Sequence, residues 1–129
     1  MKYIVDKQEK YNLIQLEEEK LDSTIAPVLK TEMVTFNAEG VNNIILDLGR
    51  VRYVDSSGLS AILVANRLCT NDAGLLVLTN IGEHIMKLIK ISQLDSVLNI
   101  LPTNEEAVDA IFMNEIENTL KGEAEGEIE

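Results

Sequence analysis

The sequence predicts an α/β fold: a mixed, mostly parallel β-sheet of about five strands with about four helices packed on it. Three observations carry this. The runs Ile44-Ile45-Leu46-Asp47-Leu48 and Leu75-Leu76-Val77-Leu78 are almost unbroken in apolar character, as strands covered on both faces are. Apolar residues recur at helical spacing before, between and after them, and strands that alternate with helices imply crossover connections. The 129 residues are the length of one domain, enough to build a single packed core without disulfides or metals.

The elements follow in order. Tyr3-Ile4-Val5 and Tyr11-Asn12-Leu13-Ile14-Gln15-Leu16 read as an opening hairpin across the polar stretch from Asp6 to Lys10, and the second alternates as a half-buried strand does. Asp22, Ser23 and Thr24 are helix-cap residues and Pro27 suits a first turn. Ile25, Val28, Leu29, Met33 and Phe36 then form one apolar face that ends at Gly40. The buried strand at Ile44 to Leu48 comes next, and a second helix is expected from about Ser57 to Thr70, with Leu59, Ile62 and Leu63 at helical spacing. Asn71-Asp72-Ala73-Gly74 is a turn into the second buried strand. Ile81, Ile85, Leu88 and Ile89 mark a short helix, and Val97 to Ile100 a short edge strand closed by Pro102. Thr103-Asn104-Glu105-Glu106 is a capping-box sequence opening a last helix, with Val108, Ile111, Phe112 and Ile116 expected inward. From about residue 121 the glycine-punctuated Glu123, Glu125, Glu127 and Glu129 predict a disordered acidic tail, which leaves 1–120 as the domain.

The stretch that carries chemistry is Asp55-Ser56-Ser57-Gly58-Leu59, where an apolar run gives way to a helical pattern. Asp and Ser belong at such a turn because their side-chain oxygens accept hydrogen bonds from the unpaired amides of the first helical turn. An ordinary cap explains those residues on its own. Gly58 removes a Cβ that would crowd a partner approaching the turn and relaxes the dihedral limits there.

Composition excludes several function classes. Eleven basic against twenty-two acidic residues give a formal charge of −11, which repels a phosphate backbone, so nucleic acid is not an expected partner. Without Trp, and with three Tyr and two Phe, there is little material for base stacking. Cys69 is the single cysteine and cannot form an internal disulfide, which fits a reducing compartment. The start of the chain is interrupted by charge too early for a signal peptide, and no apolar run approaches the ~20 residues that cross a bilayer. A cytoplasmic protein without membrane insertion is the expectation. No phosphate loop, dinucleotide fingerprint or paired metal-ligand histidines appear, so no cofactor or metal is expected.

With that order of elements, the chain resembles the STAS family, the domain shared by bacterial anti-sigma factor antagonists and the cytoplasmic ends of sulphate transporters. The resemblance spans nearly all of residues 3 to 118 and is most specific over Ile44 to Leu48 and Val54-Asp55-Ser56-Ser57-Gly58-Leu59. Leu21-Asp22 with Pro27, the Leu94 to Ile100 stretch and Glu105-Glu106-Ala107-Val108 support it. One departure stands out: Glu17-Glu18-Glu19-Lys20 occupies a turn where the family usually has a glycine. Transporter-linked members carry membrane spans, so the resemblance is to the free-standing branch.

The resemblance implies a function. In the antagonist branch the second serine of the Asp-Ser-Ser-Gly turn is phosphorylated, and by position that is Ser57. Unphosphorylated, such a protein binds an anti-sigma factor that is also a serine kinase and thereby frees a sigma factor to direct transcription. Phosphorylation ends the binding, and a serine phosphatase restores it. Asp55, Ser56, Ser57, Gly58 and Leu59 would meet the partner. Asp55 either caps the helix and orients the serine or assists proton transfer from the hydroxyl; kinases generally supply their own base, which favours capping. Arg50 and Arg52 flank the turn, open either to an acidic partner or the new phosphate, or to solvent.

Two rivals compete with this reading. An enzyme would use Ser57 as nucleophile and His84 as base, but the pattern is not a Gly-x-Ser-x-Gly elbow and His84 is the only histidine. No catalytic residue is therefore expected. A STAS scaffold or accessory subunit of a signalling assembly or transporter, without a phosphorylation cycle, is the second rival.

Overall fold

A computed structural model describes the backbone of residues 1–128 and the side chains of residues 1–122. The strands are β1 (Tyr3–Lys7), β2 (Asn12–Leu16), β3 (Lys20–Leu21), β4 (Ile44–Asp47), β5 (Tyr53–Val54), β6 (Leu76–Thr79) and β7 (Asn99–Leu101). The helices are α1 (Ala26–Ala38), α2 (Ser56–Asn71), α3 (Glu83–Ile91) and α4 (Asn104–Ile128). β1 and β2 form the expected hairpin, and β2, β4, β6 and β7 run parallel in a five-stranded sheet of order β1-β2-β4-β6-β7. The predicted mixed sheet with four helices is what the chain forms. β7, Asn99–Leu101, does lie at the sheet edge, shifted from the expected stretch because Val97 is exposed at the end of the α3–β7 turn.

The continuity of the central apolar runs has a direct cause. On β4, Ile44 and Leu46 face a core shared with α1, α2 and α3, while Ile45 faces the opposite side and packs with Val77, Ala107 and Ile111. Leu76 and Leu78 of β6 repeat the first orientation and Val77 the second. A strand covered on both faces has no solvent side on which to place polar residues. α1 contributes Ala26, Leu29, Met33 and Phe36 to the larger core. Val28, expected inward, is 41% exposed, because the helix repeat places it to the side of the buried stripe formed by Ala26, Leu29, Met33 and Phe36.

α4 departs further from its predicted pattern. Ala107 and Ile111 are buried and Val108 packs beside them, but Phe112 and Ile116 are 45% and 53% exposed. Side-chain amides hold this helix instead. Asn104 Nδ2 donates to Asp47 Oδ2 at 3.0 Å and Thr79 Oγ1 donates to Asn104 Oδ1, so the start of α4 is tied to the ends of β4 and β6. Farther along, Asn43 Nδ2 donates to Glu115 Oε1 at 2.9 Å, and Asn114 and Asn118 donate to the Ala73 carbonyl at 3.0 and 2.8 Å. The predicted capping box forms in half: Thr103 Oγ1 accepts from the Glu106 amide at 3.1 Å. The expected boundary near residue 120 lies inside α4, and the side chains of the expected tail beyond Gly122 fall outside the described residues.

The strands β3 and β5 form a separate parallel pair, Lys20 opposite Tyr53 and Leu21 opposite Val54. Nothing in the periodicity of two-residue strands announces them, yet they position the turn at Asp55.

Candidate functional site

The path from β4 to α2 is built by short polar contacts. Asp47, nearly buried at the end of β4, accepts the Gly49 amide at 2.9 Å and starts the turn. The Arg52 and Tyr53 amides then donate to the Glu19 carbonyl at 2.7 and 3.1 Å, which brings the 17–20 segment against residues 50–53. Arg50 Nε meets Glu17 Oε2 at 2.8 Å. The departure at Glu17-Glu18-Glu19-Lys20 is thus accommodated as a strap over the approach to the helix.

At the helix itself Asp55 is the N-cap. Its backbone is extended, with φ −102° and ψ −173°, and its Oδ1 accepts the Gly58 amide at 3.0 Å. Ser56 and Ser57 occupy the first two helical positions. Ser56 is exposed and Ser57 half-buried, its side chain lining a surface groove. Gly58 lies beneath them, fully enclosed. A Cβ there would stand 2.2 Å from the Leu21 carbonyl oxygen and 2.8 Å from Val54 Cγ1. The crowding that Gly58 relieves is therefore internal, between α2 and the β3–β5 pair, and not contact with an incoming partner. Leu59 is half-buried and packs on the larger core. Of the five residues of the motif, Asp55, Ser56 and Ser57 face outward or sideways and the last two face in.

The groove beside Ser57 is about 390 Å³ and is lined by Ser23, Ala26, Pro27, Lys30, Ser56, Ser57 and Ser60. α1 supplies one wall and the first turns of α2 the other. Lys30 was not legible as a site residue, because it stands twenty-seven positions before Ser57 and only the packing of α1 on α2 brings the two to one space. Arg50 and Arg52, the cations that flank the motif in sequence, are exposed and do not line the groove. Arg50 is engaged by Glu17 instead.

The other candidates separate from this surface. His84 is exposed on the first turn of α3 and lines no part of the Ser57 groove. Cys69 is buried on the far part of α2, where burial, with a smaller contribution from the charge of Asp72, pushes its thiol up to about 12. Such a thiol is inert. Asp22, ahead of α1, accepts from the Thr24 hydroxyl and amide at 2.6 and 3.0 Å, and these bonds hold its carboxyl below the usual carboxylate range. Among the described residues there is no cluster of His, Cys, Asp and Glu arranged for a metal, and no helix long and apolar enough to cross a membrane.

Comparison with known proteins follows the same lines. The model of the STAS domain family matches residues 5–107. BtrV of Bordetella bronchiseptica, provisionally described as an anti-sigma factor antagonist, is 29% identical over 90 residues, covering 70% of this chain and 78% of BtrV. The anti-sigma-B factor antagonist of Bacillus subtilis is 28% identical over 89 residues, covering 69% and 81% of the two chains. The Bacillus cell fate determinant SpoIIAA in its phosphorylated form superposes with a TM-score of 0.67 at 25% identity, over 85% of this chain and 99% of that one.

Proposed function

This chain belongs to the STAS domain family, and on that basis we propose that it is an anti-sigma factor antagonist whose binding is switched by phosphorylation of Ser57. The observation that carries the reading is the mounting of Ser57: at the second position of α2, beside an open groove, on a turn that Asp55 caps and Gly58 anchors. A hydroxyl so placed can enter a kinase active site without unfolding anything around it. The relatives support the same reading: the Bacillus subtilis one is named an anti-sigma-B factor antagonist, and SpoIIAA has a phosphorylated form.

The mechanism needs little movement. In the bare state a serine kinase that is also the anti-sigma factor packs over the start of α2 and is held away from its sigma factor. The Ser57 oxygen attacks the γ-phosphorus of ATP, its proton passes to a base of the kinase, and ADP leaves. The new group adds about −1.5 to −2 charges at pH 7. At a helix N-terminus the amides tolerate that charge, so the domain keeps its fold. Across an interface it meets desolvation and repulsion that cost several kcal/mol, and each ~1.4 kcal/mol is a factor of ten in affinity. A serine phosphatase reverses the state by hydrolysis of the ester.

Asp55 is assigned the role of cap, its Oδ1 accepting the Gly58 amide, and the base is left to the kinase, which generally supplies its own. Partner contact rests on Ser56, Ser57 and the groove walls, while Gly58 and Leu59 act from beneath. Incubation with candidate kinases and ATP, followed by phosphosite mass spectrometry, tests the assignment. Incorporation at Ser57, lost in Ser57→Ala, is the expected result; incorporation elsewhere, or a scaffold partner bound regardless of ATP, favours the accessory-subunit reading.

A further inference from the structure

The groove beside Ser57 contains one charged side chain. Lys30, half-buried on the second turn of α1, lines it together with Ser23, Ser56, Ser57 and Ser60. In a chain of net charge −11, carboxylates are abundant, yet Lys30 meets none. The ion pair among the described residues is Arg50 with Glu17, and the acid nearest in sequence on the same helix, Glu32, accepts instead from the Tyr3 hydroxyl at 2.8 Å. A lysine that shares a groove with four serines and makes no ion pair leaves the groove with an unmatched positive charge.

We infer that Lys30 is the receptor for the phosphate on Ser57: the modified side chain turns into the α1–α2 groove and forms an ion pair with Lys30 in the same molecule. This rests on the phosphorylation of Ser57 proposed above and adds what the modification does to the free protein. The groove, at about 390 Å³, has ample room for a phosphate monoester, and no carboxylate lines it to oppose the dianion. The neighbouring hydroxyls of Ser56 and Ser60 can donate to its remaining oxygens. Two changes then act on the partner at once. A charge is added to the surface, and a cation that the bare form offers to an acidic partner group is withdrawn. Arg50, paired with Glu17, and Arg52 do not line the groove.

The test uses the full chain with phosphoserine incorporated at position 57 during translation, so that no kinase has to be known. Phosphorus NMR follows the second ionisation of the monoester, ordinarily near ~6. With Lys30 in place it should lie at least about half a unit lower than in Lys30→Met, which keeps the aliphatic stem and removes the charge, and Lys30→Arg should restore the lowered value. In the unsubstituted chain, nitrogen NMR of the Lys30 ammonium should show a shift and slowed proton exchange on phosphorylation. That second measurement stands even if a variant fails to fold. Identical phosphate titration in Lys30 and Lys30→Met chains, or a Lys30 ammonium that does not respond, would overturn the inference. The two proposals fail separately. Pairing observed with undiminished partner binding sinks the interface switch alone, and partner release without pairing sinks this one alone.

Discussion

The two faces of the five-stranded sheet are covered by different means. On one side α1, α2 and α3 share a continuous apolar core that runs from Ile14 and Leu16 through Met33 and Phe36 to Ile85 and Ile89. On the other, α4 lies alone over Ile45 and Val77, burying Ala107 and Ile111 and relying on asparagine side chains for much of its attachment. Its outer surface exposes Phe112, Met113, Ile116 and Leu120. The candidate switch sits on the deep side, and the difference explains why. A turn that must hold its shape while a hydroxyl becomes a dianion has to be fixed by packing beneath it, and only the α1–α3 side has the depth to supply that.

The comparison can be broken most forcefully at Gly58. A Cβ at 2.2 Å from the Leu21 carbonyl must displace β3 or the first turn of α2. Gly58→Ala should therefore cost about 3 kcal/mol, at the upper end of overpacking penalties. A urea titration that leaves the midpoint unchanged would show the turn to be looser than described.

Cys69 probes the same core through pH. Its thiol is raised from an ordinary value of 9.0 to about 12, so above pH 9 the unfolded chain releases a proton that the native chain keeps. Stability from this group is whole below pH 9 and declines as pH rises toward 12, by about 1.4 kcal/mol per unit. Cys69→Ala should flatten that slope when melting temperatures are compared between pH 9 and 10.5. An unchanged slope would mean that the thiol is not desolvated.

Smaller effects follow. Asp55→Ala removes the cap to the Gly58 amide and should lower stability by about 1 kcal/mol while leaving the rest of α2 helical by circular dichroism. At the shallow face, Ile116→Ser should change stability by less than about 0.5 kcal/mol, since the side chain is 53% exposed. A loss of more than about 2 kcal/mol there would mean that the outer face of α4 is covered in solution.

The same contrast decides how much could be read from the chain. Strands and helices on the deep side were legible because their residues are apolar for a single reason, burial, and so keep a clean period: Leu29, Met33 and Phe36 on α1, Ile62 and Ala65 on α2. On α4 the fully buried set stops at Ile111, and the apolar residues that follow obey helical spacing but stay largely exposed, Phe112 meeting the Tyr11 ring edge-on. Periodicity reports a stripe, not the direction in which it points. The β3–β5 pair escaped because two-residue strands carry no period and their pairing spans thirty-three positions, from Lys20 to Tyr53. It was this pair that reassigned Gly58 from the partner surface to the interior.

At the site, Asp55-Ser56-Ser57-Gly58 was legible as a capped turn because capping is local chemistry. Lys30 and the Glu17–Arg50 pair were not, since each depends on segments distant in sequence meeting in space. Arg50 and Arg52, adjacent to the motif along the chain, are exposed and line no part of the groove.

The most direct measurement is the affinity of a purified cognate anti-sigma factor for two forms of this protein, one bare and one carrying phosphoserine at position 57, with circular dichroism recorded on both. Superimposable spectra and binding weakened at least ~100-fold, equivalent to about 2.7 kcal/mol, are what an interface switch on a rigid mount predicts. Ser57→Asp should move partway in the same direction, and Ser57→Ala should stay bound in the presence of ATP. Equal affinity of the bare and phosphorylated forms, or a spectrum that changes on phosphorylation, would contradict the account.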